Sequence, residues 1–202
     1  IRVLQSDYEL TNRLLAITTG AGIVGNPAVL QNVGNVWSYG LELSGEYRIT
    51  PALSVYASYA YNNATYRNDV TDANGLIIAH TRSRTVVDAP RHIARGEIHY
   101  DDGHVFGRIG GNYMSKRYYS YENVHVSNGQ VVEDAVGDRF IVDATLGYRV
   151  NDQIEVQLNG TNLFNTRYVG TIGSNGFGNS GDNQTLLAAA PQQFFATLKV
   201  GY

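Results

Sequence analysis

Cysteine is absent from this sequence, which excludes a disulfide framework and a thiolate-ligated metal site. Charge is sparse as well: Asp, Glu, Lys and Arg make up 16% of the 202 residues, against roughly a quarter in ordinary soluble domains. The net charge of −3 contains no basic block of the kind that nucleic-acid binding uses, so no nucleic-acid partner is expected. No apolar run approaches the roughly 18 residues of a membrane-spanning helix. That absence leaves a membrane β-barrel open, because strands that alternate apolar and polar residues average their hydropathy away. The chain opens on Ile1 with no signal peptide, and its one methionine is Met114; it is expected to be processed or to be part of a longer chain.

What the sequence has in quantity is glycine, at 22 residues, and tyrosine, at 15. Tyrosine suits a membrane–water boundary, where the ring lies in lipid and the hydroxyl in water. The last eleven residues show how the apolar residues are spaced. Phe194, Ala196, Leu198, Val200 and Tyr202 fall on one face of a strand, and Gln193, Thr197, Lys199 and Gly201 fall on the other, with Phe195 the exception. Segments near 1–19, 35–49, 53–66, 91–100, 104–119, 138–150 and 153–163 alternate similarly. In 138–150, Phe140, Val142, Ala144, Leu146, Tyr148 and Val150 oppose Arg139, Asp143, Thr145 and Arg149, with Ile141 the exception. Charges keep to one face. The period predicts that Leu41, Leu43, Val142, Leu146, Val156, Leu158, Leu198 and Val200 face lipid. It sends Glu42, Asp143, Arg149, Gln157 and Lys199 to a lumen.

The fold class that follows is all-β: an antiparallel transmembrane β-barrel with about eight strands present, forming one domain over 1–202. Thr50-Pro51-Ala52, Asp101-Asp102-Gly103 and Asn151-Asp152 read as tight turns. The connections near 20–34, 67–90, 120–137 and 165–190 are long and rich in Gly, Asn, Ser or Asp. Short turns on one rim and long loops on the other match a bacterial outer-membrane barrel, whose short side is periplasmic.

A run Asn162-Leu163-Phe164-Asn165-Thr166-Arg167-Tyr168 follows one strand, and Ala190-Pro191-Gln192-Gln193-Phe194-Phe195 opens the last one. Together with the terminal set Phe194, Leu198, Val200 and Tyr202, this resembles the C-terminal signature of TonB-dependent outer-membrane receptors. Weaker matches keep the family's order: Asn12-Arg13-Leu14, Asn32-Val33-Gly34-Asn35 before Gly40-Leu41-Glu42-Leu43, and Ala89-Pro90-Arg91-His92. The final Tyr202 departs from the family's more usual Phe. The resemblance implies a plug domain followed by a barrel of about 22 strands, of which this chain would supply the last eight and no plug. It implies a receptor importing a ferric siderophore from outside the cell, coupled to TonB through the missing N-terminal part. The barrel insertion machinery and outer-membrane lipid would be its other partners. A vitamin B12 or glycan receptor of the same family, or a small complete eight-stranded barrel, are the alternatives.

Lys116, Arg117, Tyr118, Tyr119 and Tyr121 at the top of a strand could meet an anionic ferric chelate, the cations by charge and the rings by stacking. An interface girdle of Tyr with snorkelling Lys and Arg is the plainer account. Arg82 and Arg84 could hold an anion or solvate their loop. Glu42, Glu46, Arg48, Arg95, Glu97, Arg108, Asp143, Arg149 and Glu155 are expected to pair across neighbouring strands. Asp69, Asp72 and Asn74 before Gly75 resemble part of a calcium loop but lack its later ligands. The Gly-rich stretch Gly173-Ser174-Asn175-Gly176-Phe177-Gly178 lacks the lysine and helix of a phosphate loop. The five histidines have no metal-binding spacing, and His125 alone falls near the long-loop rim, so no enzyme, metal or cofactor is expected.

Overall fold

The computed structural model describes residues 2–10, 14–17, 29–32, 35–71, 74–173 and 185–201. Eight strands carry the fold: β1 (Arg2–Leu10), β2 (Val36–Arg48), β3 (Leu53–Tyr66), β4 (His92–Asp101), β5 (Val105–Met114), β6 (Arg139–Asn151), β7 (Ile154–Thr161) and β8 (Gln193–Val200). Each pairs antiparallel with its sequence neighbour, giving one sheet in the order β1 to β8. Among the described residues no pairing joins β1 to β8. The sheet is a segment of barrel wall and not the closed cylinder of a complete eight-stranded barrel.

The register carries the two faces from strand to strand. Leu43 pairs with Tyr59 and Tyr47 with Val55, Val55 with Ile98, Ile98 with Ile109 and Ile109 with Ala144. Leu146 then pairs with Leu158, and Val156 with Leu198. This row is outward and solvent-accessible on the protein itself; Leu146, Leu158 and Leu198 are 60%, 56% and 66% exposed. Leaving a leucine in water forgoes roughly 1.5–3 kcal/mol, so a continuous row of them requires lipid. Val142 departs from the expectation. It belongs to the outward row but is only 8% exposed, because the turn after β7 lies alongside it, with the Leu163 amide donating to the Val142 carbonyl at 2.8 Å.

Side chains close the three short turns. Thr50 Oγ1 accepts the Leu53 amide at 3.0 Å, Asp102 Oδ1 accepts those of His104 and Val105 at 2.9 and 2.8 Å, and Asn151 Oδ1 accepts those of Gln153 and Ile154, both at 2.9 Å. These amides hold the Asp102 carboxyl below its usual range, Val105 contributing most. The long connections differ from the loops the composition suggests. They carry hairpins, pairing Leu14–Ile17 with Val29–Asn32, Val70–Thr71 with Ile77–Ala79, Val124–Ser127 with Gln130–Glu133, and Val169–Gly173 with Thr185–Ala188. Asn12, Arg13, Val33, Gly34, Asp72, 174–180 and Tyr202 lie outside the described residues, and with them parts of the family matches, the calcium-like loop, the Gly-rich stretch and the terminal aromatic.

Candidate functional site

The buried core sits at the long-loop rim. Val36, Ala64 and Tyr66 at the ends of β2 and β3 pack with Val70, Ala79, Val86 and Tyr121 from the loops 67–91 and 115–138. The Tyr66 and Tyr121 rings are 6.1 Å apart. Alternation supplies the strand residues, and the short hydrophobic pieces inside polar loops supply the cover.

Polar ties then lock one loop to the other. Asn123 is buried, and its side-chain amide mimics a strand: Oδ1 accepts the Thr85 amide at 2.7 Å and Nδ2 donates to the Thr85 carbonyl at 2.9 Å. Glu122 accepts the His80 amide at 2.7 Å. The Asp88 amide donates to the Tyr118 carbonyl at 3.0 Å. Satisfying buried polar groups in this way avoids a cost of about 1–3 kcal/mol for each one left unpaired.

The sequence-predicted ligand residues divide between structure and surface. Arg117 is 6% exposed and donates to Asp88 Oδ1 at 2.7 Å and to the Val169 carbonyl at 2.7 Å, so it ties three loops together. Tyr121 is in the core. Tyr119 is half-buried, and burial followed by the Asp134 charge raises its phenol pKa. Lys116 and Tyr118 meet at the surface, with the ammonium 5.4 Å from the ring centroid. Both bind Glu133 Oε1, at 2.5 and 2.7 Å, and Lys116 and Glu133 are each about half exposed, at 50% and 49%. The lysine holds the Glu133 carboxyl below its usual range, and the carboxylate raises the lysine. Arg84 is half-buried and Arg82 exposed. Arg82 lines a cavity with Trp37 and Arg67.

The Asn-Leu-Phe-Asn run forms a tight structural turn. Asn162 and Asn165 both take the left-handed backbone, at φ 50° and 48°, a conformation asparagine tolerates better than most residues. Asn162 is buried, accepts the Thr166 amide at 2.8 Å and donates to its carbonyl at 2.9 Å. Its own amide donates to Asp143 Oδ1 at 2.8 Å. Asn165 accepts the Gln192 amide at 3.2 Å, anchoring the approach to β8. A side chain at Gly160 would collide with Leu163 and the Phe194 ring, so glycine makes room for both. Phe164 is exposed, and Arg139 lies over the Tyr168 ring at 4.6 Å.

On the inner face Arg149 grips Asp101 through both oxygens, at 2.7 and 2.9 Å, and approaches Glu155 at 3.5 Å across the β6–β7 pair. Arg95 and His99 both engage Glu97, but along one strand, where cross-strand pairing is the sequence expectation. His125 meets Asp134 inside its hairpin. Among the described residues no three His, Cys, Asp or Glu are grouped to hold a metal ion.

Asn123, Asp88, Asp134 and Glu133 are structural partners that pattern reading misses, since each acts on a residue brought close by the fold. The hairpin at 124–133 did leave a signal. Asn128-Gly129, at φ 50° and 77°, is a two-residue turn between valine-bearing strands.

Comparison with known proteins places this architecture. The family described as TonB dependent receptor-like, beta-barrel matches residues 7–163. The catecholate siderophore receptor Fiu of Escherichia coli (strain K12) is 32% identical over 160 residues, covering 77% of this chain and 19% of that protein. The ferric-pyoverdine M114 receptor PbuA of Pseudomonas sp. (strain M114) is 26% identical over 165 residues, covering 81% and 19%. The crystal structure of the ferric yersiniabactin uptake receptor FyuA from Yersinia pestis superposes with a TM-score of 0.67 at 17% identity, over 85% of this chain and 24% of that one. The chain thus spans about a fifth of the length of the curated relatives. On a family match that covers most of its residues, this chain belongs to the TonB-dependent receptor β-barrels of the Gram-negative outer membrane.

Proposed function

We propose that this chain is part of a receptor that imports a ferric siderophore, of the catecholate class, using energy relayed by TonB. The observation that carries the reading is the 32% identity to a catecholate siderophore receptor over 160 residues. The loop architecture supports it, since hairpins and buried ties hold a polar extracellular surface on one rim of the wall. A plug domain and the remaining strands would come from the rest of the receptor, and TonB would act through that plug. We read no catalytic role in the chain. Among the sequence-predicted ligand residues, Lys116, Tyr118 and Arg84 are the ones we assign to the chelate, because Arg117 and Tyr121 are committed to loop packing. Insertion machinery would read the last strand, with Phe194, Leu198 and Val200 outward and exposed.

Uptake of radiolabelled iron as its catecholate chelate, by iron-starved cells, tests the proposal. Disrupting the gene or inactivating TonB should each abolish uptake, and Lys116→Ala should weaken chelate binding while leaving the receptor folded. Uptake that persists unchanged after gene disruption would rule the reading out.

A further inference from the structure

On the outward face, at the long-loop rim, a cavity of 530 Å³ is bounded by Trp37, Thr65, Arg67, Asn68, Arg82 and Ser83. That volume lies within the roughly 300–1,000 Å³ of small-ligand sites. We propose that it holds the anionic phosphate headgroup of an outer-leaflet lipid. Three observations point there.

The cavity belongs to the lipid side of the wall. Trp37 pairs with Thr65, and both continue the outward row of Leu41, Leu43, Tyr59 and Tyr61. The second observation is cationic. Arg67 stacks on Trp37, its guanidinium carbon 5.3 Å from the ring centroid. Arg82 meets Asp69 through its backbone amide, at 2.9 Å, and not through its guanidinium. Among the residues whose side chains are described, neither guanidinium is in an ion pair. Two guanidiniums offer the forked donors that a phosphate accepts. Third, an aromatic chain runs along the outward face from the cavity. Trp37 and Tyr39 have centroids 5.1 Å apart, Tyr39 and Tyr61 6.3 Å, and Tyr61 and His92 5.4 Å. The Tyr59 hydroxyl and His92 Nδ1 are 2.8 Å apart. Amphipathic rings of this kind mark headgroup level, so a ligand above them has a polar head at the arginines and its tails against the leucines. A free anion would use the arginines but gain nothing from that belt.

Native mass spectrometry of the full-length receptor in non-ionic detergent, titrated with phosphatidic acid, phosphatidylcholine or inorganic phosphate, tests the site. Each arginine near an anionic headgroup contributes about a fivefold gain in affinity. The double variant Arg67→Gln/Arg82→Gln should therefore bind phosphatidic acid about 25-fold more weakly, with phosphatidylcholine unaffected. Arg67→Lys/Arg82→Lys should keep most of the binding, and heat-modifiable gel mobility checks that each variant is folded. Unchanged phosphatidic acid binding in the folded glutamine variant overturns the proposal. Inorganic phosphate binding as tightly as the lipid overturns it too, since the site would then be one for a free anion.

Discussion

Asn162 concentrates more structure than any other residue of the signature turn. It holds φ 50°, donates and accepts with the Thr166 backbone, and is 3% exposed. Asn162→Ala loses both side-chain hydrogen bonds and leaves in the left-handed region a residue that tolerates it less well than asparagine, at up to about 1–2 kcal/mol for the backbone alone and about 0.5–1.5 kcal/mol for each bond. Asn162→Gly keeps the backbone freedom and should recover the first part of that loss. Urea titrations of the refolded barrel should rank wild type above Gly above Ala. Equal losses would mean that the hydrogen bonds alone matter. The acidic partner of Lys116 permits a second test. Glu133 has a folded pKa below the ordinary carboxylate value, so its contribution is present above that ordinary value and is lost as pH falls through the depressed one. Hydrogen-exchange protection in 124–133, corrected for the intrinsic slowing of amide exchange in acid, should therefore fall on acidification below about pH 4, and Glu133→Gln should remove that pH dependence. The effect should be small because both groups are half exposed.

At the scale of the strand, the period of two decides which segments pattern reading recovers and which face each residue takes. Eight strand segments were legible because one face must be apolar for lipid while the other carries charge, and a slip of one residue would exchange them; the three short turns were legible from their Pro, Asx and Gly residues. The loop site was much less legible. Arg117 finds Asp88 29 residues earlier, and no local pattern announces that a distant carboxylate will take up a loop arginine. Val142 shows the same limit inside a strand, where alternation gives the face but not the turn that covers it. Leu146 and Thr145 separate face from propensity. Leu146 is outward and pairs with Leu158, whereas the Thr145 hydroxyl donates inward to Asn159 Oδ1 at 2.9 Å. Leu146→Arg should cost about 2–4 kcal/mol near the bilayer midplane; Thr145→Arg should cost much less, about one neutral hydrogen bond. Heat-modifiable gel mobility reports the folded fraction, and equal losses would refute the register.

The whole molecule is a wall with two dissimilar rims, and its orientation follows from that contrast. One rim carries three turns closed by Thr50, Asp102 and Asn151; the other carries the paired hairpins and the only extended buried cluster among the described residues. Loops of that size are the extracellular feature of this barrel class. Within them, accessibility is uneven. Thr81 and Thr85 are buried where 81–86 runs beside β3, while Val126 and Val131 near the Asn128-Gly129 tip are 72% and 71% exposed. A broad-specificity protease added to intact cells should thus cut first between 126 and 131 and spare 81–86. The turns at 50–52, 101–103 and 151–153 should be reached only after the outer membrane is permeabilised. Cleavage at those turns in intact cells, with the 126–131 tip protected, would invert the barrel and with it the assignment of the loop surface to the ligand side.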